Sequence, residues 1–583
     1  MRDYKAIYNE WLSNPYYDEE TRKELAAIQG DDKEIMERFH MDLEFGTAGL
    51  RGIIGAGTNR MNKYVVRRAT QGLADYIIEQ GGQDKGVAIA YDSRHMSIEF
   101  SDEAARTLAA NGIKAYRFES LRPTPELSFA VRYFGCIAGI NVTASHNPSA
   151  YNGYKVYWED GAQFTPPHDK AVTEHVLSIT DMSRCKTMSK EEAEAADLYI
   201  TIGKEVDDAY IAEVKKTILH PEVIKEMADS ISIVYTPLHG TGHVPVMRML
   251  KELGFTHVYE VPEQAEPDGD FPTVSYPNPE AKEAFKLGLK LAKEKKADLV
   301  LATDPDADRL GVYVRESDDD DGYIPLTGNM SGSLLCEYVL SQRKAMGMLP
   351  KDAFVVESIV SSDLIKAVAA GWDVEAKEVL TGFKWIGREI LKAEGEGKGQ
   401  YVFGMEESYG CLIGTYARDK DAISAVTSLC EAAAFYKKQG KTLWDAMTDM
   451  YKKYGYYREN VKTIELAGVE GLAMIKKIMD TLRNDPPKSF DEYRVERFRD
   501  YSADIIRDFR PGHEGETCPT GLAKSNVLYF ELNDNAWVCV RPSGTEPKLK
   551  IYTGVKGKDY KDAEKLSEDL QDEIDDVIDD IMK

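Results

Sequence analysis

Hydrophobic residues recur along this chain with two periods, one typical of amphipathic helices and one typical of buried strands. Residues 1–40 carry Glu, Lys, Tyr and Leu at helical spacing and end before the glycine-rich segment FGTAGLRGIIGAG at 45–57. Beyond it, the apolar runs VAIAY (87–91) and CIAGINVTA (136–144) alternate with helical stretches such as SDEAARTLAANG (101–112). This alternation predicts a helical lead-in followed by βαβ units.

The same rhythm begins twice more, with strand-like runs at 231–242 and 297–314 and again at 354–362 and 401–410. After residue 455 the pattern is mixed and ends in an acidic helical stretch. We therefore predict an α/β fold, with three related α/β domains containing mixed sheets and a smaller C-terminal α+β domain. The predicted segments are a lead-in at 1–40, domains at 41–205, 206–325 and 326–454, and the C-terminal domain at 455–583.

Composition agrees with a folded protein of several domains, because 583 residues exceed what one hydrophobic core usually organises. Hydrophobic residues make up 43% of the chain and charged residues 30%, and the net charge is -26. Such a charge repels nucleic acid and anionic lipid, so we expect neither as a partner. The first residues lack the pattern of a secretory signal and no run of about 18 apolar residues occurs, which predicts a cytoplasmic location.

Two features of the composition are interpreted as structural. Seven scattered cysteines lack the spacing of a metal clamp or a redox pair, so they are predicted to be reduced thiols. The acidic run Asp318–Asp321 lies between two strand-like runs, where a solvated turn is favoured over a metal site.

The segment NVTASHNPSAYNGYKVY places Ser145 and His146 directly after a strand-like run and before two turn-forming pairs. We predict that Ser145 lies on an exposed loop at the strand end, where a serine can act as a nucleophile or carry phosphate. His146 and Lys155 are candidates for proton transfer or phosphate binding. A plain capped turn remains an alternative for this segment.

In the segment TDPDADRL, Asp304, Asp306 and Asp308 alternate after an apolar strand and precede Arg309. Three carboxylates from one loop can converge on a single cation, and oxygen-only ligation suits Mg²⁺. An EF-hand calcium loop is rejected, because arginines replace the glycine and glutamate that its sixth and twelfth positions require. A structural metal or a solvated acidic loop stays open.

The segment RPSGTEPKLKIY combines Arg541 with the hydroxyls of Ser543 and Thr545 in a glycine-containing loop between strands. Backbone N–H groups and a guanidinium in such a loop can hold a phosphate, although an ordinary β turn would have a similar sequence.

Two further segments carry candidate polar groups. FGMEESYG places Glu406, Glu407 and Ser408 after a strand, where carboxylates and a hydroxyl can bind sugar hydroxyls or begin a solvated helix. TGFKWIGRE adds Lys384, which is either a functional cation or a surface lysine.

Taken together, TASHNP, DPDADR, GMEESYG and RPSGTEP, with FGTAGLRG and TGFKWIG, resemble the α-D-phosphohexomutase superfamily from about residue 40 to about residue 555. The four main motifs occur in the superfamily's order. The resemblance implies four domains around a central cleft and a phosphosugar mutase, which is an intramolecular phosphotransferase of the isomerase class. Its partners would be small phosphosugars, and the chain would be a monomer or a dimer.

The resemblance also assigns roles to individual residues. Ser145 would carry the transferred phosphoryl group and, with three aspartates, hold one Mg²⁺ per chain. The implied metal ligands are Ser145, Asp304, Asp306 and Asp308; the implied catalytic residues are Ser145, His146, Lys155, Lys384, Arg51 and Arg309. The implied substrate-binding residues are Glu406, Ser408, Thr381, Gly382, Arg541, Ser543, Gly544 and Thr545.

The sugar motif resembles the EES form of glucose-directed members, which implies interconversion of glucose 1-phosphate and glucose 6-phosphate with glucose 1,6-bisphosphate as primer. The segment YARDKDAISA and the long lead-in also resemble a branch of phosphopentomutases and sugar-bisphosphate synthases. A pentose phosphate or a mannose phosphate is therefore an alternative substrate. Two other hypotheses are a noncatalytic sugar-phosphate sensor and a phosphatase with an aspartyl nucleophile.

Overall fold

The computed structural model of this protein describes residues 3–45, 49–317, 322–466, 468–490, 493–543 and 548–583. The predicted turn at Asp318–Asp321 lies outside these residues. Within them, no helix combines the length and the apolar character needed to cross a membrane. All seven cysteines are free thiols, and each is buried except Cys518.

Three short helices form the predicted lead-in. They are α1 (Tyr4–Ser13), α2 (Glu19–Ala27) and α3 (Asp32–Phe39). Each begins after an aspartate whose carboxylate accepts a backbone N–H of the first turn, which stabilises the helix start. Trp11 stacks on Tyr17 and meets Phe39 and Tyr64 edge to face, so an aromatic cluster holds the lead-in against the helix that contains Tyr64.

The first α/β region contains one six-stranded mixed sheet. Its elements are β1 (Leu50–Ile53), α4 (Lys63–Glu79), β2 (Val87–Tyr91), α5 (Ser97–Ala110), β3 (Ala115–Phe118), α6 (Thr124–Phe134), β4 (Ala138–Val142), β5 (Tyr151–Trp158), α7 (His168–Ser178), α8 (Lys190–Ala195) and β6 (Tyr199–Ile202). The strand order is β1-β5-β4-β2-β3-β6. Strands β4, β2, β3 and β6 are parallel, whereas β5 is antiparallel to β4 and to β1. The residues that follow β2 and β4 therefore meet at one edge of the sheet.

The second α/β region contains one five-stranded sheet. Its elements are α9 (Lys204–Lys215), α10 (Pro221–Met227), β7 (Ser232–Thr236), α11 (His243–Leu253), β8 (His257–Glu260), α12 (Pro262–Ala265), α13 (Lys286–Lys295), β9 (Leu299–Thr303), β10 (Leu310–Arg315) and β11 (Tyr323–Leu326). The strand order is β11-β10-β9-β7-β8. All five residues of β9 are buried, and the aspartate loop begins where this strand ends.

A third region and a final sheet follow. The third region has α14 (Gly328–Ala345), β12 (Ala353–Ser358), α15 (Asp363–Gly371), β13 (Glu375–Val379), α16 (Phe383–Glu396), β14 (Gln400–Glu406), β15 (Gly410–Ile413), α17 (Ala422–Lys437) and α18 (Leu443–Tyr454). The final elements are β16 (Tyr456–Glu465), α19 (Gly468–Asn484), β17 (Ser489–Phe490), β18 (Tyr493–Asp500), β19 (Ile505–Asp508), β20 (Thr517–Cys518), β21 (Leu528–Leu532), β22 (Trp537–Pro542), β23 (Lys548–Gly557) and α20 (Tyr560–Met582). Short 3₁₀ turns lie at Gln83–Lys85, Met182–Arg184, Ala228–Ser230, Lys282–Phe285 and Asn533–Asn535.

The chain divides into two compact units, which we call unit 1 and unit 2. Unit 1 comprises residues 1–328, 383–404 and 408–443, and unit 2 comprises residues 329–382, 405–407 and 444–583. In unit 2 an antiparallel sheet of order β16-β23-β22-β21-β18-β19-β20 packs α19 and α20 over a core that includes Ile478, Phe530 and Ile574. The predicted fold class is confirmed, while the five predicted boundaries stay a prediction.

Candidate active site

Ser145 follows β4 and lies inside the protein. Its exposed fraction is 3%, so the predicted exposed loop is wrong. The residue adopts a φ of 50°, and its backbone N–H donates to the hydroxyl oxygen of Thr143 at 2.8 Å. Its hydroxyl donates to Asp304 Oδ2 at 2.8 Å and lies 3.2 Å from Nδ1 of His146. Ser145 is therefore enclosed by contacts with Thr143, His146 and Asp304, although its local sequence predicts an exposed turn.

Arg94, which follows β2, holds the main chain around this serine. Its guanidinium donates to four carbonyl oxygens, those of Ser145 (2.6 Å), Asn147, Pro148 (2.8 Å) and Tyr151 (3.1 Å). The side chain is fully buried and lies 3.3 Å from the equally buried carboxylate of Asp92. The main chain of residues 145–151 is therefore held in place by one buried guanidinium group.

Arg51 lies beside the same loop. It belongs to β1, opposite Gly153 of β5, and its guanidinium donates to the side-chain oxygen of Asn147 at 3.0 Å. Together with burial and Arg309, Arg51 keeps the pKa of His146 well below its ordinary value. His146 is thus neutral near pH 7.

Asp304, Asp306 and Asp308 form the cluster that the sequence predicts. Their carboxylate oxygens lie within 4.8 Å of one another, and all three residues are buried. The loop turns sharply because Ala307 has a φ of 50° and Asp304 Oδ1 accepts the N–H groups of Asp308 and Arg309, each at 3.1 Å. One oxygen each of Asp306 and Asp308 is buried and accepts no hydrogen bond from any described residue. Buried carboxylate oxygens of this kind suit a hard divalent cation.

Two lysines and a threonine surround these carboxylates. Lys155 of β5 donates to Asp306 Oδ2 at 2.7 Å, and Thr124 donates to the same oxygen at 2.9 Å. Lys420 lies 3.1 Å from Asp308 and 3.1 Å from Asp419. Both lysines are buried, so their charges act through a medium of low dielectric constant.

The electrostatics of the cluster favour a bound cation. Burial raises the pKa of Asp304 and Asp308, and the neighbouring Asp306 raises both further. Burial opposes ionisation of Asp306 as well, but Lys155 holds its pKa below the ordinary value. A divalent cation would let all three carboxylates ionise together.

Three other residues that the sequence predicts for the site also belong to unit 1. Arg309 donates to Glu280 at 2.9 Å, and its Nε lies 3.8 Å from Asp308. Ser408 is half-buried in the turn that follows β14. Lys384 lies at the start of α16 and lines a separate cavity, so its predicted catalytic role stays a prediction.

The predicted sugar and phosphate residues lie mainly in unit 2. Glu406, the last residue of β14, accepts the N–H of Gly382 at 2.6 Å through Oε1. Glu407 accepts the hydroxyl of Ser358 at 2.8 Å, and burial together with the charge of Glu406 raises its pKa. Thr381 is half-buried beside Gly382.

Arg541 and Ser543 mark the predicted phosphate loop. Arg541 lies near the end of β22 opposite Lys550, and Ser543 donates its N–H to the carbonyl oxygen of Lys548 at 2.7 Å. The remaining predicted residues of this loop, Gly544 and Thr545, lie outside the described residues.

Sequence reasoning missed Arg94, Thr124 and Lys420 as members of the site. Arg94 and Asp92 could have been found as charged residues directly after the apolar strand β2, where open α/β sheets bind ligands. Lys420 lies between two aspartates in the segment YARDKDAISA, where a lysine flanked by acids could have indicated an ion-pair cluster. Thr124 has no comparable signal, because a threonine at a helix start is most often a cap.

The chain is similar to known proteins over most of its length. Family models described as phosphoglucomutase/phosphomannomutase match residues 42–182 (alpha/beta/alpha domain I), 208–317 (domain II), 327–454 (domain III) and 494–573 (C-terminal domain). A phosphoglucomutase of Staphylococcus aureus (strain MRSA252) is 37% identical over 544 residues, which cover 92% of this chain and 94% of that protein.

Solved structures share the fold. A phosphoglucomutase/phosphomannomutase family protein of Burkholderia thailandensis has a TM-score of 0.64 and 18% identity, covering 91% of this chain and 96% of its own. The phosphoprotein pp63/parafusin of Paramecium, a phosphoglucomutase in an open form, has a TM-score of 0.66 and 17% identity, with coverages of 91% and 95%. On the matches to all four domain models, this chain belongs to the phosphoglucomutase/phosphomannomutase family.

Proposed function

We propose that this protein interconverts glucose 1-phosphate and glucose 6-phosphate through a phosphorylated Ser145. The observation that carries the proposal is the contact between the Ser145 hydroxyl and Asp304, at 2.8 Å, inside a buried cluster of three aspartates. Such an arrangement places a phosphoryl acceptor next to a cation site, which phosphoryl transfer requires. The phosphoglucomutase of Staphylococcus aureus, similar over most of the chain, supports glucose as the sugar.

The reaction proceeds in two transfers. In the first, the bond between phosphorus and Ser145 Oγ breaks while the 6-hydroxyl oxygen of glucose 1-phosphate bonds to phosphorus; the proton that this hydroxyl loses to a base is replaced by one delivered to Ser145 Oγ. In the second, Ser145 Oγ bonds to the phosphorus of the 1-phosphoryl group while the bond from that phosphorus to the sugar oxygen breaks; the serine hydroxyl gives its proton to a base, and a proton passes to the departing sugar oxygen. Glucose 1,6-bisphosphate would therefore act as primer for an unphosphorylated Ser145.

Asp304, Asp306 and Asp308 would hold Mg²⁺ together with the phosphoryl oxygens on Ser145. The ion would neutralise charge on the transferred group. The protein itself contributes the fixed positions of these groups, because Arg94 anchors the serine loop and backbone N–H groups anchor Asp304.

Three side chains are proposed to move the proton. Lys420 and Lys155 lie against the aspartate cluster and can exchange a proton with a sugar hydroxyl. His146 Nδ1 lies 3.2 Å from Ser145 Oγ, so it is placed to exchange a proton there, although its lowered pKa makes it a weaker base than an ordinary histidine. Arg51 and Arg309 would neutralise phosphate charge near Ser145.

The remaining predicted residues are proposed to bind the rest of the substrate. Glu406, Ser408, Thr381 and Gly382 would bind sugar hydroxyls, and Arg541 with Ser543 would bind the phosphate that does not react. Gly544 and Thr545 are proposed for the same phosphate. The cytoplasmic location, the domain boundaries and the choice between monomer and dimer stay predictions.

The decisive experiment measures conversion of glucose 1-phosphate to glucose 6-phosphate with Mg²⁺ and a trace of glucose 1,6-bisphosphate. Turnover should be lost in Ser145→Ala and kept in Ser149→Ala, a matched change in the same loop. Ribose 1-phosphate and mannose 1-phosphate should turn over more slowly.

Three results would contradict the proposal. Faster turnover of ribose 1-phosphate would identify a phosphopentomutase. Net release of phosphate that survives in Ser145→Ala would identify a phosphatase with an aspartyl nucleophile. Binding of phosphosugars without any turnover would identify a sensor.

A further inference from the structure

Unit 1 contains a second cavity at the opposite end of β4 from Ser145. Its lining includes Trp158, which pairs with Ala138 at the start of β4, whereas Ser145 follows the end of that strand. Neither Ser145 nor any of the three clustered aspartates lines it. The cavity has a volume of about 770 Å³, within the range of roughly 300–1,000 Å³ that small-molecule sites occupy.

Basic side chains reach this cavity from two helices. Lys384, Arg388 and Leu391 lie four and three residues apart on α16, which places them on one face of the helix. Arg132 comes from the last turn of α6. Two guanidinium groups and an ammonium group thus line the same space.

The two guanidinium groups form no ion pair with the acidic residues that line the cavity. Glu159 is paired with Lys85 at 2.6 Å, and Asp160 accepts the backbone N–H of Ala162. Arg132 donates to the carbonyl oxygen of Asp160 and not to a carboxylate. Burial raises the pKa of Asp160, whereas the charges of Arg418 and Arg132 lower it. Across the described part of the chain, neither Arg132 nor Arg388 forms an ion pair with a carboxylate, and Arg388 lies 5.6 Å from the ring centre of Trp385.

Other groups at the cavity also favour an anion with polar substituents. The helices α7 and α16 both begin at the cavity, and the partial positive charge of a helix start attracts anions. Asp169 in the first turn of α7 opposes this effect near Lys384. Gln163 is held by hydrogen bonds to Tyr157 at 3.2 Å and Asp419 at 3.1 Å, so its amide is already fixed for a ligand hydroxyl.

We propose that this cavity is a second binding site, for a small phosphorylated metabolite, separate from the site at Ser145. The planar forks of Arg132 and Arg388 match the oxygens of a phosphate monoester, and Gln163 matches a hydroxyl-bearing body. The proposal does not depend on which sugar the Ser145 site transforms.

The test counts ligands per chain by isothermal titration of the full protein with glucose 6-phosphate. A Ser145→Ala background prevents turnover during the titration. Two sites per chain are expected. Arg132→Gln with Arg388→Gln should weaken one of them by about tenfold per arginine, because each change removes a charge-assisted hydrogen bond. Arg541→Gln should weaken the other site.

Two controls make the result specific. Arg184→Gln with Arg494→Gln removes the same charge from exposed positions and should leave both sites intact. Arg132→Gln with Arg388→Gln, made with Ser145 present, should keep its kcat, because neither arginine contacts the aspartate cluster. The proposal would be overturned if only one site is found and Arg541→Gln abolishes it. It would also be overturned if two sites are found and neither loses affinity in the Arg132→Gln, Arg388→Gln variant. Absence of wild-type turnover would count only against the proposed function.

Discussion

Replacing Arg94 by methionine should lower both the stability of this protein and its kcat, for two different reasons. The change removes four hydrogen bonds to the carbonyl oxygens of the serine loop and leaves Asp92 buried without its cation. Breaking a buried ion pair from one side costs about 3–5 kcal/mol. Each buried carbonyl that loses its donor adds roughly 1 kcal/mol unless water or a shift of the loop replaces the bond. We therefore expect a loss of about 5 kcal/mol in the free energy of unfolding of unit 1.

The double change Asp92→Asn with Arg94→Met distinguishes the two contributions. Removing the unpaired carboxylate should restore about 3 kcal/mol of stability, because the cost of the buried charge disappears. It should not restore activity, because the loop still lacks its anchor and Ser145 is no longer held near Asp304. Thermal unfolding and kcat for glucose 1-phosphate measure the two effects on the same samples.

Arg117→Met is the matched control. Arg117 is also buried and donates to Ser101 at 3.0 Å and to the carbonyl oxygen of Ile98 at 3.3 Å, but it does not contact the serine loop. The Arg117→Met variant should be less stable than the wild type and should have the same kcat. If Arg94→Met stays folded with a kcat within about threefold of the wild type, or if the double variant regains activity along with stability, the positioning role of Arg94 is wrong.

Three further perturbations test other parts of the site and the fold. Lys420→Met should lower kcat by about 100-fold or more with a smaller change in KM, as loss of a proton-transferring group does; an unchanged kcat would exclude that role. Gly410→Ala should also lower kcat, because a Cβ there would overlap Cδ of Lys420 and displace the ammonium, whereas unchanged kinetics would mean that the lysine adapts. Burial raises the pKa of Glu431 from 4.5 to about 7, so the folded state binds its proton more tightly and the stability from this group is lost as pH rises from about 4.5 to 7. Glu431→Gln should therefore gain up to roughly 3 kcal/mol relative to wild type between pH 5 and pH 8 in calorimetry, and a constant difference would contradict the shift.

Local features of the site could be predicted from the sequence. The aspartates at 304, 306 and 308 are close in the chain, so a single turn after β9 is enough to bring their carboxylates together. The strand predicted at 87–91 is observed residue for residue as β2, and the run 136–144 contains β4. Each of these predictions depends only on residues that are close in the chain, and their periodicity and spacing can be read from the sequence alone.

The environment of Ser145 could not be predicted in the same way. Its burial depends on Arg94, 51 residues earlier, and on Asp304, 159 residues later. Lys420 reaches Asp308 only because β15 and α17 pack in unit 1, far along the chain from β9. A single sequence gives no measure of such long-range contacts, so the local pattern around Ser145 predicts an exposed turn.

The way Arg94 holds the serine loop has a consequence for how this loop can vary. Every hydrogen bond from the guanidinium ends on a main-chain oxygen, and every type of residue, proline included, carries such an oxygen. Arg94 therefore fixes the path of the backbone without contacting the side chains between Ser145 and Tyr151. Two of those side chains have contacts of their own: His146 lies beside Ser145 Oγ, and Arg51 contacts Asn147. The other side chains of this segment can therefore change without loss of the hydrogen bonds that hold the main chain around Ser145.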